Sequence, residues 1–153
     1  MPFDPPASHL TSHLGYWLRY VSNHVSHAFA RKLEGEDVTV AEWAVLRALY
    51  GEAPVAPSRL AGQMGMTRGA ISKLADRLIA KNLILRKDSK DDGRAHTLSL
   101  SPSGAALVPK LSALADQNDG EFFDHLTTED RTTVERVLKS IVERRGLKTI
   151  PVS

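Results

Sequence analysis

Cysteine is absent from all 153 residues, which excludes disulfides, thiolate metal ligands and thiol nucleophiles together. No apolar run approaches the roughly 20 residues that a membrane-spanning helix requires, so no membrane partner is expected. The opening MPFDPPASHL has neither the basic lead nor the apolar core of a secretory signal. Together these absences point to a cytoplasmic protein. A phosphate-binding glycine loop, a nucleophile elbow and a metal motif are also lacking, so neither an enzyme nor a bound cofactor is expected. His9 and His13 stand four residues apart, and His24 and His27 three apart, so each pair shares a helix face. Zinc normally takes four ligands, and only residues such as Asp4 remain to complete a set, so no metal site is expected. Asp91 and Asp92 suit a hydrolytic metal site less well than a turn in a basic hairpin.

Net charge is small too, at +2, but it is unevenly spread. Residues 58–96 hold nine Lys/Arg against four Asp/Glu, whereas the segments on either side are slightly acidic. Phosphate attraction supplies most sequence-independent DNA affinity, so a basic stretch in a near-neutral chain marks where such contact belongs.

That stretch has internal order. Leu60 and Met64 share one helix face, and Gly65 offers the left-handed conformation that ends a helix. Thr67 is placed to cap the next helix. There Ile71, Leu74, Leu78 and Ile79 form a buried face at helical spacing. The opposite face carries Arg68, Ser72, Lys73 and Arg77, a set suited to a major groove. Two short strands are expected at 83–88 and 96–100, the second from its alternation of Leu98 and Leu100 with Thr97 and Ser99. Between them Asp92-Gly93 marks a tight turn. Arg59 and Lys81 are weaker candidates, divided between phosphate contact and solvent.

Helices flank this reader on both sides. Apolar positions from Leu10 to Phe29 keep helical spacing until about Leu33, and residues 34–37 break the pattern. Thr39 and Glu42 form a capping box that opens a helix with Trp43, Leu46, Leu49 and Tyr50 facing inward. Ser58 is the expected cap of the following helix. Ser101-Pro102 begins another, through Leu107, Leu111 and Leu114 towards Phe122, with Gly120 as a candidate bend or break. Thr127 caps the last, with Val134, Val137, Leu138, Ile141 and Val142 on one side and Gly146 at its end. The outer helices carry apolar stripes with no cover in their own reader. A second copy supplies that cover most economically, giving a symmetric dimer.

With these elements in place the chain resembles the MarR family of winged-helix transcriptional regulators. The resemblance rests on Asp88, on Asp92-Gly93-Arg94, and on Leu100-Ser101-Pro102-Ser103-Gly104. It extends to residues 39–46 (TVAEWAVL) and 126–130 (LTTED). The family pattern has an aspartate, an Asp-Arg-Arg-like tip and a Leu-Thr-x-x-Gly helix start. Here Gly93 replaces the first tip arginine and Ser101 the threonine. Only Arg94 is then left to enter a minor groove, so wing affinity is expected to be weaker.

The resemblance implies a mainly α fold of the α+β winged-helix type. A winged helix-turn-helix DNA-binding domain at 39–100 would lie between an N-terminal dimerisation helix at 1–38 and C-terminal dimerisation helices at 101–153. It implies a homodimeric repressor on a pseudo-palindromic operator in double-stranded DNA, released by a small effector of the kind that in this family is commonly aromatic. Thr67, Arg68, Ser72, Lys73 and Arg77 would serve the major groove, and Arg86, Lys90 and Arg94 the flanking backbone and minor groove. Asp92 would orient Arg94. The effector would draw its pocket from His13, Tyr16, Trp17, Tyr20 and Trp43, although core or dimer packing is the favoured explanation of the same residues. The competing reading is a winged-helix architectural or protein-interaction module with no ligand response.

Overall fold

A computed structural model of the chain describes residues 6–88 and 96–148. Among them a 3-10 turn at Leu10–Ser12 precedes α1 (Leu14–Glu34), α2 (Val40–Leu49), α3 (Pro57–Met64) and α4 (Arg68–Ala80). A hairpin of β1 (Ile84–Asp88) and β2 (His96–Leu100) then leads to α5 (Pro102–Phe123) and α6 (Thr128–Arg145). The expected order of elements is therefore present, as a mainly helical winged-helix fold.

Local chemistry accounts for most boundaries. The Thr39 hydroxyl accepts from the Glu42 amide at 3.1 Å, while the Glu42 carboxylate accepts from the Thr39 amide at 3.0 Å. Two orphan amides at the start of α2 are thereby satisfied reciprocally. Thr127 accepts from the Asp130 amide and Ser101 from the Gly104 amide, each at 3.0 Å, and so cap α6 and α5. Gly146 ends α6 in the left-handed region at φ 59°.

Some local expectations are corrected. Ala56, not Ser58, is the N-cap of α3, because Pro57 takes the first helical position, where its missing N–H is no loss. Tyr50 does not face inward: it lies beyond the last turn of α2, exposed, with the Arg47 guanidinium 5.7 Å from its ring centre. Gly120 does not break the chain into two helices, since α5 continues through it to Phe123. Thr97 and Ser99 are half-buried, as Leu100 is, while Leu98 is fully buried, so β2 has no fully exposed face. Val55 exchanges backbone hydrogen bonds with Leu98 at 3.0 and 2.8 Å and adds a one-residue bridge to the hairpin.

The core lies inside the reader. Leu46 of α2, Leu60 of α3, Ile71 and Leu78 of α4, Leu98 of β2 and Leu111 of α5 are all fully buried. In contrast, Leu33 is the only fully buried side chain of α1, and α6 has none. The apolar stripes of the outer helices are present, but in a single chain they face solvent.

Polar contacts tie α1 to α5 across this arrangement. Asn118, buried, donates to the Val25 carbonyl at 3.1 Å and accepts from the Lys32 ammonium at 3.0 Å. Lys32 also pairs with Glu121 at 2.8 Å, and that ammonium holds the Glu121 carboxyl below the usual glutamate range.

Candidate nucleic-acid interface

The turn between α3 and α4 sets the angle of the reading helix. Gly65 sits at φ 63° and ψ 33°, a conformation that costs a residue with a Cβ about 1–2 kcal/mol. The chain reverses there, the Met66 amide bonds the Ala61 carbonyl at 2.9 Å, and Thr67 accepts from the Ala70 amide at 3.1 Å. Helix α4 thus begins on a fixed heading.

Its two faces are chemically opposed. Ile71, Leu74, Ala75 and Leu78 are buried against the core, with Ile79 half-buried at the edge. Arg68, Ser72, Lys73 and Arg77 are exposed together, as is Thr67. Such a face presents cations for phosphates and hydrogen-bonding groups for base edges, with the leucines kept out of water.

The remaining candidates are distributed differently. Arg86, exposed on β1, pairs with Asp76 of α4, Nη2 to Oδ1, at 2.8 Å. Lys81 is not a free surface cation. Its ammonium donates to the Asp37 carbonyl at 2.6 Å and lies 3.0 Å from Oε2 of the buried Glu42. Arg59 is exposed at the start of α3. Lys90 and Arg94 lie outside the described residues, as do Asp4, Asp91, Asp92 and Gly93.

The five aromatic and histidine candidates do not converge. Tyr16, Trp17, Tyr20 and His24 form a ladder along α1, with ring centres 5.1 Å apart for the first pair and 5.2 Å for Tyr20 and His24. Trp17 also donates its indole N–H to the Thr11 carbonyl at 2.8 Å, and His13 is the N-cap of α1. Trp43 instead packs edge-on against Phe29, at 6.3 Å. Phe29 is nine residues beyond Tyr20, the nearest of the other candidates, which on a helix is about 14 Å. Trp43 therefore shares no wall with the other four within one chain. Among the described residues no three His, Asp or Glu side chains cluster as metal ligands. No helix there is long and apolar enough to cross a membrane.

Three comparisons bear on this geometry. A sequence model of the MarR family matches residues 36–95, which span α2 to the wing. The multiple antibiotic resistance protein MarR of Escherichia coli is 26% identical over 130 residues, covering 84% of this chain and 90% of that one. The crystal structure of a probable transcriptional regulator from Pseudomonas aeruginosa superposes with a TM-score of 0.76 at 27% identity, over 87% of this chain and 99% of that one. The reader thus matches the MarR family, and the chain as a whole folds like a solved MarR protein. A further structure, of mutant MarR from E. coli complexed with operator DNA, has a TM-score of 0.75 at 25% identity, covering 84% of this chain and 93% of that one.

Within this MarR-like fold the Ser101–Gly104 helix start has a definite physical role. The Ser101 hydroxyl donates to the Asn82 carbonyl at 2.6 Å, and its amide bonds the Leu83 carbonyl at 3.0 Å. Gly104 then packs against that same Leu83 carbonyl, so closely that a Cβ would lie 2.1 Å from the oxygen. Glycine is required there for contact distance. Residues 82–83 and 101–104 thus close the base of the wing. Sequence reasoning missed the partners Asp76 and Asn118, and saw Glu42 as half of a capping box without its tie to Lys81. Asp76 left a trace as the one acid in α4, and Asn118 left none.

Proposed function

We propose that this regulator is a homodimeric repressor that binds a pseudo-palindromic operator and is released by a small effector. The observation that carries the reading is α4: a rigidly oriented helix whose exposed face is Arg68, Ser72, Lys73 and Arg77 while its leucines are buried. Thr67 starts that helix, where its amides and side chain meet phosphate. Arg86 grips the adjoining backbone, and Lys90 and Arg94 extend the set along the wing. The operator complex of the E. coli relative supports the same use of the fold.

Dimerisation is supported by α6. Val134, Val137, Leu138, Ile141 and Val142 are all at least 40% exposed, and so are Leu10, Leu14 and Trp17 at the other end of the chain. Packing these stripes against a second copy, through segments 1–38 and 101–153, would place the two 39–100 readers about 34 Å apart, one turn of duplex. The aromatic ladder of α1 would then lie beside the interface, where a small aromatic molecule can favour dimers with badly spaced recognition helices. The protein would act in the cytoplasm and carry out no turnover.

Gel shifts on the DNA upstream of its own gene test this reading. The expected result is palindrome-dependent binding that weakens steeply with salt and loses slope when Arg68, Lys73 or Arg77 becomes alanine. A footprint without sequence preference would indicate an architectural protein instead.

A further inference from the structure

Helix α4 carries four exposed polar or basic groups that suit DNA, and one that does not. Asp76 lies one turn after Ser72 and three residues after Lys73, and its side chain is 64% exposed. A lone carboxylate there is repelled by phosphates and should weaken binding. Its Oδ1, however, accepts from Arg86 Nη2 at 2.8 Å. Arg86 can reach it because of strand geometry. Side chains alternate along β1, so Arg86 shares a face with the buried Ile84, and that face turns towards α4.

We propose that Asp76 is a positioning residue for DNA binding: it holds the Arg86 guanidinium at the edge of the recognition helix, where the groove meets the phosphate backbone. The proposal rests on the DNA-binding reading above. A guanidinium carries five N–H donors, and one bond to Asp76 leaves others free for phosphate oxygens. Arginine otherwise loses much rotamer freedom when it docks, and a side chain already held in place avoids that loss at the encounter. The pair is too exposed to matter much for folding, so its effect should appear in binding rather than in stability.

The test uses the full-length protein and the duplex upstream of its gene. Asp76→Ala should weaken binding about two- to tenfold per protomer, although it removes a negative charge from a DNA-facing surface. Asp76→Asn, which keeps the shape and loses the charge, should weaken it less, and Asp76→Glu should restore part of the loss. In an Arg86→Gln background Asp76→Ala should no longer weaken binding. Tighter or unchanged binding by Asp76→Ala in the natural background would overturn the proposal, as would an equal loss in both backgrounds. A lowered melting temperature with unaltered binding would show a stabilising pair only and overturn it as well. Absence of binding by the unmutated protein would instead sink the DNA-binding reading itself, and the proposal with it.

Discussion

The Lys81 ammonium, at the C-terminal end of the recognition helix, lies 3.0 Å from Oε2 of Glu42, a buried carboxylate in the first turn of α2. The other carboxylate oxygen accepts from the Thr39 amide and lies 3.3 Å from the same ammonium. One side chain therefore caps α2 and fastens α4 to it. Glu42 Oε2 has no conventional hydrogen bond, so the Lys81 charge is its main compensation.

Lys81→Met should accordingly destabilise the fold by about 1–3 kcal/mol, because it leaves a buried carboxylate oxygen without a partner. Thermal unfolding at a fixed protein concentration checks this. A change within error would show that solvent reaches Glu42 freely.

The same carboxylate should make stability fall in acid. Burial pushes the Glu42 carboxyl up, but the Thr39 amide, the Lys81 ammonium and the Thr39 hydroxyl outweigh that and hold it below its ordinary value of 4.5. A depressed carboxyl stabilises the folded state above the unfolded pKa, and the gain is lost as pH falls through the folded value. Unfolding midpoints taken downward from pH 6 should drop less steeply for Glu42→Gln than for the natural chain. Parallel curves would count against this assignment.

Gly104→Ala should destabilise the protein by about 1–3 kcal/mol. Alanine improves helix propensity by roughly 1 kcal/mol over glycine, but here its Cβ would lie 2.1 Å from the Leu83 carbonyl oxygen, and backbone must move. Gly62→Ala is the contrasting case. Nothing lies within 4 Å of a Cβ built there, so that variant should be unchanged or slightly more stable. Equal effects from both in chemical denaturation would rule out the close approach as the reason for Gly104.

Replacing Val137 and Ile141 together by lysine should shift the protein from dimer to monomer in sedimentation. Each apolar side chain buried in an interface contributes about 1.5–3 kcal/mol, so the dimer constant should weaken by well over tenfold. Neither residue is buried in the single chain, so helical content should persist. An unchanged sedimentation profile would remove α6 from the interface.

Much of this was legible because the signals are short-range. Capping by Thr39, Thr67, Ser101 and Thr127, and the left-handed ends at Gly65 and Gly146, depend on neighbours within a turn. The exposed set Arg68, Ser72, Lys73 and Arg77 follows from helical period alone once Ile71, Leu74 and Leu78 are assigned inward. Where two caps competed, as at Ala56 and Ser58, the proline between them decided, and a reading based on side-chain oxygens missed it.

Periodicity and caps by themselves determined which residues form helices, which face of α4 is polar, and that the outer helices carry unclaimed apolar stripes. Tertiary structure decided which charges are free to meet DNA. Lys81 and Glu42 are 39 positions apart, and Asn118 and Val25 are 93 apart, so no local pattern reveals that each pair touches. Arg86 reads as a free cation until the hairpin lays it against Asp76. A side chain's charge is written in its residue type, but the partner that claims it is set by how distant segments pack.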